Sequence, residues 1–226
     1  MDWMGSEDSK HHRDESSSTD FDNAHGSLFG DSNLTLRYLF TNTGLKSGSR
    51  IFLGTGLTIP SNSVLTISPY LKDDLLENPY DDHRHFSLSD GTYNSISDIQ
   101  IFYKRSSNPV FFGGSLSINK PFKQNEYSYF PPTSLKLTLS TIYKRFDSLD
   151  GSLDLSIGMQ SLSKAYWDNI PAPNSEAFVV TPSLSYLFNL KKGALSISIQ
   201  KPIFISGSFA GNEGDIDQKT EVWQLV

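Results

Sequence analysis

Along most of its length the chain alternates apolar and polar residues with a period of two, and this restricts its fold more than any other feature. Successive side chains of a β-strand point to opposite faces, so such a segment has one oily face and one wet face. Residues 134–143 show it most clearly, with Leu135, Leu137, Leu139, Thr141 and Tyr143 on one face and Ser134, Lys136, Thr138 and Ser140 on the other. The split recurs in Leu34, Leu36, Tyr38 and Phe40 against Asn33, Thr35 and Arg37, and in Ile51, Leu53, Leu57 and Ile59 against Gly54, Gly56 and Thr58. It returns in Ile99, Ile101 and Tyr103 against Asp98, Gln100 and Lys104, and in Val110, Phe112, Leu116 and Ile118 against Ser115, Ser117 and Asn119. Leu153 to Met159 against Asp154, Ser156 and Gln160, then the strands around Leu184 and Ile197, complete eight full strands. Met1 to Met4 and Glu221 to Val226 read as two partial ones, giving roughly ten visible strands.

The connections between these strands alternate between short and long. Short turns fall at 42–49, 105–108, 147–151 and 189–193, and long loops at 5–28, 61–92, 120–132, 163–177 and 206–219. All the short turns therefore share one end of the hairpin stack. Outer-membrane barrels have short periplasmic turns and longer extracellular loops, whereas a soluble Greek-key sandwich needs no such regularity. The pattern predicts an all-β fold, an up-and-down antiparallel transmembrane β-barrel. A soluble sandwich is the alternative, but its long alternating strands would leave sheet edges to protect, which closure removes.

Charge placement agrees with the barrel. Arg37, Asp98, Lys104, Lys136, Lys144 and Asp154 all fall on the polar face, where they would line the lumen. A Lys or Arg facing lipid at the midplane costs roughly 2–4 kcal/mol, so an oily face free of charge is the expected arrangement. Tyr38, Phe40, Tyr103, Phe112, Tyr143, Tyr186 and Phe188 cluster on the oily face beside the short turns, the position of an interfacial aromatic girdle. The mixed signs on the polar face suggest a constricted or plugged interior, or simply solvated structural charges.

Composition closes several other routes. With 37% apolar residues, few segments could be buried on both faces, and there is no run of roughly 18 apolar residues to form a spanning helix. The formal net charge is −6 and no basic stripe offsets it, so nucleic acid is not an expected partner. No cysteine is present, which removes disulfides, thiolate metal sites and cysteine nucleophiles. An exported chain needs a leader, and none opens this sequence, so Met1 reads as internal to a longer chain. The expectation is a single domain over 1–226, truncated at both ends, in the bacterial outer membrane.

Several segments resemble a family of outer-membrane barrels named for the meta-pathway of phenol degradation and described as transporter-like. They are Phe29-Gly30-Asp31 leading into Leu34-Thr35-Leu36-Arg37-Tyr38, Leu53-Gly54-Thr55-Gly56-Leu57-Thr58-Ile59-Pro60, Ser89-Asp90-Gly91-Thr92-Tyr93, and the closing strands over 178–204. Ser61-Asn62 stands where the family usually continues Thr-Gly, and Ser89 replaces a motif glycine. The resemblance implies about 12 strands in the intact barrel, passage or binding of small molecules, hydrophobic or aromatic ones among them, and no catalytic residues. Lipid and lipopolysaccharide are the implied surroundings, an unidentified small solute the implied partner, and no cofactor is implied.

The remaining chemistry lies in the loops. His11, His12, His83 and His85 could converge on a transition metal if their loops share one end of a barrel, but solvated polar loop is the simpler reading. Asp81, Asp82 and His83 could belong to a rim hydrolase, although no Ser-centred strained turn accompanies them. The acidic run 212–217 lacks calcium-loop spacing. The third alternative is a structural or surface-interaction barrel with a closed lumen.

Overall fold

The computed structural model describes residues 30–43, 47–62, 64, 88–146, 149–207, 209–211 and 220–226. Their regular structure is entirely β and every strand pairing is antiparallel. The strands are β1 (Ser32–Asn42), β2 (Gly48–Ile59), β3 (Asn94–Lys104), β4 (Phe111–Pro121), β5 (Tyr129–Phe130), β6 (Ser134–Phe146) and β7 (Leu149–Leu162). They continue with β8 (Tyr166–Trp167), β9 (Ile170–Pro171), β10 (Ala177–Leu190), β11 (Gly193–Gln200), β12 (Ile203–Ser206) and β13 (Gln224–Leu225). Ten of them form one sheet in the order β1-β2-β3-β4-β6-β7-β10-β11-β13, with β12 also pairing β10. Each long strand pairs with the next long strand in sequence, so the sheet is an up-and-down meander. Its edges are β1 and β13, and among the described residues these two do not pair with each other.

All eight full strands expected from the alternation are present, and the segment near Trp223 contributes β13 against β11. The expected strand tail at Met1 to Met4 lies outside the described residues. What the alternation did not reveal is β5, β8 and β9, which form a small second sheet from within two of the long loops. Each is two residues long, too short for any period to show. β11 and β12 are two pieces of one bent strand, interrupted at Pro202, which has no N–H to donate to the ladder. The preceding Lys201 N–H still reaches the Pro182 carbonyl at 3.2 Å.

The registers keep the two faces distinct across the sheet. One lateral row runs Tyr38, Leu53, Ile99, Leu116, Leu137, Met159, Val180, Ile203. The row one residue away runs Arg37, Gly54, Asp98, Ser117, Lys136, Gln160, Val179. A one-residue slip in any pairing would mix them, so the rows show that the register follows the alternation. Two departures stand out. Lys120 falls on the oily face, as the last residue before Pro121, a strand end from which its long side chain can reach outward to water. Apolar residues also fall on the polar face: Leu39, Phe52, Phe102, Phe111, Ile142 and Leu187 in its half nearer the short turns, and Ile96, Leu162, Val179 and Phe204 in the other half.

Exposure runs opposite to that of a water-soluble sheet. On the oily face Leu36 is 74% exposed and Leu135, Ile197 and Ile199 are all exposed, whereas the Asp98 side chain on the polar face is 6% exposed. Along β3 the polar-face residues Asp98, Gln100, Phe102 and Lys104 are each partly sheltered, while Ile101 and Tyr103 are exposed. The polar face is thus the inside of the sheet's curvature. Among the described residues no second sheet stacks on the oily face, which excludes a sandwich built from these strands. The buried apolar side chains lie at the long-loop end instead: Pro121 at the end of β4, Trp167 of β8, and Pro131, Ala165 and Ala172.

Glycine at 54 is required by its neighbours. Arg37 on β1 reaches across β2 to Asp98 on β3, Nε to Oδ2 at 3.3 Å, and Gly54 lies between them. A Cβ at Gly54 would overlap the Asp98 carboxylate, whereas a Cβ at Gly158 would meet nothing closer than 3.7 Å. Gly54→Ala should therefore displace Asp98 from Arg37 and cost about 1–2 kcal/mol in urea unfolding of the refolded protein. Gly158→Ala should be neutral or stabilising in the same assay.

Candidate functional site

The strand alternation sends one row of polar groups after another onto the sheltered face, and all six charged residues that the sequence assigns to the polar face lie there. The registers put Arg37, Asp98, Lys136, Asp154, Lys104 and Lys144 on it together. They do not form one cluster. Arg37 and Asp98 pair with each other, and Asp98 Oδ2 also accepts from Gln100 Nε2 at 3.2 Å. Lys136 stands two strands away, one neighbour beyond Ser117. Asp154 lies nearer the short turns, and Lys104 and Lys144 lie closer still to that end. Lys144 is held by its backbone: Asn108 Nδ2 donates to its carbonyl and its own N–H donates to Asn108 Oδ1, both at 3.0 Å. The Asn108 amide thereby extends the ladder past the end of β4.

Between β6, β7, β10 and β11 the sheltered face opens into a recess of about 340 Å³. Its floor is Gly158, flanked in register by Thr138 and Thr181. Lys136 and Gln160 stand on the long-loop side of that floor, and Ser156, Ser183, Gln200 and Gln224 on the other. Gln200 Nε2 donates to Gln224 Oε1 at 2.6 Å, tying β13 to this wall. Apart from Val179 and Pro202, the side chains that the strand parity directs inward here are hydroxyls, amides and one ammonium. They can donate and accept hydrogen bonds to a polar solute, but they contain no paired nucleophile and base.

A second group of polar residues sits at the long-loop end of β1, β2 and β3. Thr58, Ser89, Thr92, Asn94 and Asn125 are buried there. Thr58 Oγ1 donates to Asn33 Oδ1 and Thr92 Oγ1 to Asn94 Oδ1, each at 2.7 Å. Asn125 organises the loop between β4 and β5: its Oδ1 accepts from the Tyr127 and Tyr129 N–H groups, and its Nδ2 donates to the Asp90 carbonyl at 3.1 Å. Asp31 Oδ1 accepts from the Ser61 N–H at 3.1 Å. Gly91, at φ 68°, makes the left-handed turn that follows Asp90, and a Cβ there would press on Val64 and Asn125. Asp90 keeps an exposed surface, but the loop segments packed around its carboxyl reduce the hydration of the charged form, and this, with the negative charge of Asp31, pushes its pKa from 3.8 up to about 6.

Strand periodicity does not mark this corner as a site. Yet Asp31, Thr58 and Asp90 come from three of the segments that carry the family resemblance, and the fold brings those segments together. The available signal was that each contributes an Asp, Thr or Asn beside glycine or proline at a strand entrance or exit. The loop histidines His11, His12, His83 and His85, and Asp81 and Asp82, lie outside the described residues. Among the described residues no group of three or more His, Asp or Glu is placed to hold a metal.

Comparison with known proteins adds no relative, since no family model, no curated protein and no solved structure matches the chain.

A raised carboxyl pKa means that the folded state holds its proton more tightly than the unfolded one. The contribution of Asp90 to stability is therefore complete below its ordinary value of 3.8 and is lost as the pH rises through about 6. Amide exchange at Gly91, Thr92 and Asn125 should accelerate across that interval beyond the intrinsic chemical rate. Asp90→Asn, neutral throughout, should abolish that extra acceleration.

Proposed function

We propose that the chain forms a transmembrane β-barrel of the bacterial outer membrane, and that its sheltered face lines an interior which binds or passes small molecules. The observation that carries this reading is the inverted exposure: leucines and isoleucines face outward across the meander while charged and hydroxylated side chains face inward. In water such an outer face would be an aggregation surface far larger than the few hundred Å² a soluble monomer shows. In a bilayer it is the surface that the lipid covers, and lipid with lipopolysaccharide is the surrounding partner. The segregation of long and short connections to opposite ends supports the same reading, with the short turns on the periplasmic side. So do the ring pairs Tyr103–Phe112 and Tyr186–Phe188, at centroid distances of 5.4 and 4.6 Å near the short turns. Closure joins the β1 and β13 edges, directly or through further strands, as in the phenol meta-pathway barrels that the sequence resembles.

A second reading, a barrel with a closed lumen that serves a structural or surface role, has one observation in its favour. The two long loops on either side of β6 and β7 pair as β5-β8-β9 and bury Trp167 against Tyr129, with ring centroids 5.0 Å apart. An ordered miniature sheet at the long-loop end is what a plug or a docking surface would need. Planar-bilayer recordings separate the two: unitary current steps support passage, and a protein that inserts without conducting supports the closed form. Neither reading calls on catalysis.

The lipid-facing assignment makes a paired prediction at adjacent residues. Met159→Arg puts a cation on the oily face near mid-strand and should lower stability in vesicles by about 2–4 kcal/mol. Gln160→Arg puts the same cation on the sheltered face and should change it far less. Urea titration of the refolded variants reads both, and equal losses would contradict the assignment.

A further inference from the structure

Resting on the proposed barrel reading, we infer that the recess above Gly158 is a binding subsite for a small hydroxylated acid, of the size and kind of a sugar acid. Three features point to that chemical class. The first is size: about 340 Å³ accommodates a single six-membered sugar ring with some water, at the small end of ligand pockets. The second is the lining. Thr138, Ser156, Gln160, Thr181 and Gln200 offer hydroxyls and amides that both donate and accept, and no aromatic side chain lines the recess. Such walls match a solute that carries several hydroxyls and leave a flat hydrocarbon ring with unpaired polar neighbours. Of the rings on the inner face, Phe52, Phe102 and Phe111 belong to other strands, and Phe204, the register partner of Val179, does not line the recess.

The third feature is charge. Lys136 is the only charged residue lining the recess, and among the described residues it has no ion-pair partner. Two acids on the same face come nearest: Asp98, about 10 Å away across β4 in the same lateral row and held by Arg37, and Asp154, three same-face positions along β7 from the Lys136–Gln160 pair. At the strand rise the distance to Asp154 is about 20 Å, beyond the span of one sugar ring. A carboxylate is therefore favoured at the Lys136 end of the recess, with the hydroxyls directed over Gly158 toward Ser156 and Gln200. Gly158 supplies the space itself, because a side chain on it would project into open volume instead of into backbone.

The test uses the full chain refolded into detergent for calorimetric titration and into liposomes for insertion and conductance. The probes are galacturonate, galactose and benzoate, which separate charge from hydroxyls. Galacturonate should bind at least about tenfold more tightly than either of the others, the worth of one charge-assisted hydrogen bond. Lys136→Glu should erase that preference, Lys136→Arg should keep it, and Gly158→Leu should weaken both sugars by filling the floor. Equal binding of galacturonate and galactose, equal binding of benzoate, or an unchanged preference in Lys136→Glu would each overturn the subsite. If the wild-type chain inserts and conducts while showing no preference, the subsite alone falls. If it does not insert, there is no enclosed interior and both the barrel reading and the subsite fall.

Discussion

A β-sheet must satisfy its backbone through neighbouring strands and must also find a cover for whichever face is apolar. In this chain the first demand is met by the meander, strand by strand, from β1 to β13. The second is not met by any of the described residues. No described segment lies over the row from Tyr38 to Ile203, and the buried apolar side chains of the described residues belong to the long-loop end. Everything else follows from that unmet demand. The curvature shelters the wet face, the charges collect there, and among the described residues the oily face is left uncovered.

The inner face is organised by small residues as much as by charged ones. Gly54 lets an ion pair cross from β1 to β3 over an intervening strand, and Gly158 leaves the floor of the recess open. The first glycine cannot be replaced without moving its neighbours, whereas the second is surrounded by space. Two residues of one type thus serve opposite ends, close contact in one case and emptiness in the other. The long-loop end adds a further layer, in which buried Asn and Thr side chains satisfy one another and Asn125 ties the β4–β5 loop to Asp90.

Much of this architecture was legible from residue order alone. The period-two pattern over 134–143 and its repeats located eight strands, and their parity put Arg37, Asp98, Lys104, Lys136, Lys144 and Asp154 on one face, as the registers do. Strand parity, however, carries no information about lateral distance. It could not show that Arg37 meets Asp98 over Gly54, or that Lys136 shares a recess with Gln200, because both depend on pairings between segments far apart in the chain. β5, β8 and β9 stayed hidden because two-residue bridges are set by tertiary contact and not by local pattern. Nor does the alternation forecast the apolar residues on the polar face, such as Ile96, Phe102, Phe111 and Phe204, because a period-two pattern over one face places no restriction on single members of the other. The Asp31 and Asp90 corner was visible only as motif fragments; its raised pKa arises from crowding that exists only once the strands have paired.

The proposed membrane setting depends on which face of the sheet meets hydrocarbon, and the absence of cysteine from the sequence makes that directly measurable. Single cysteines placed in turn over residues 152–160 of β7 can be spin-labelled in refolded, vesicle-inserted protein without background. Collision with oxygen, which partitions into lipid, and with a water-soluble nickel chelate is then compared at each position. Leu153, Leu155, Ile157 and Met159 should be high for oxygen, and Ser152, Ser156, Gly158 and Gln160 high for nickel, alternating with a period of two. An inverted phase, or oxygen and nickel profiles with no alternation, would contradict the membrane assignment.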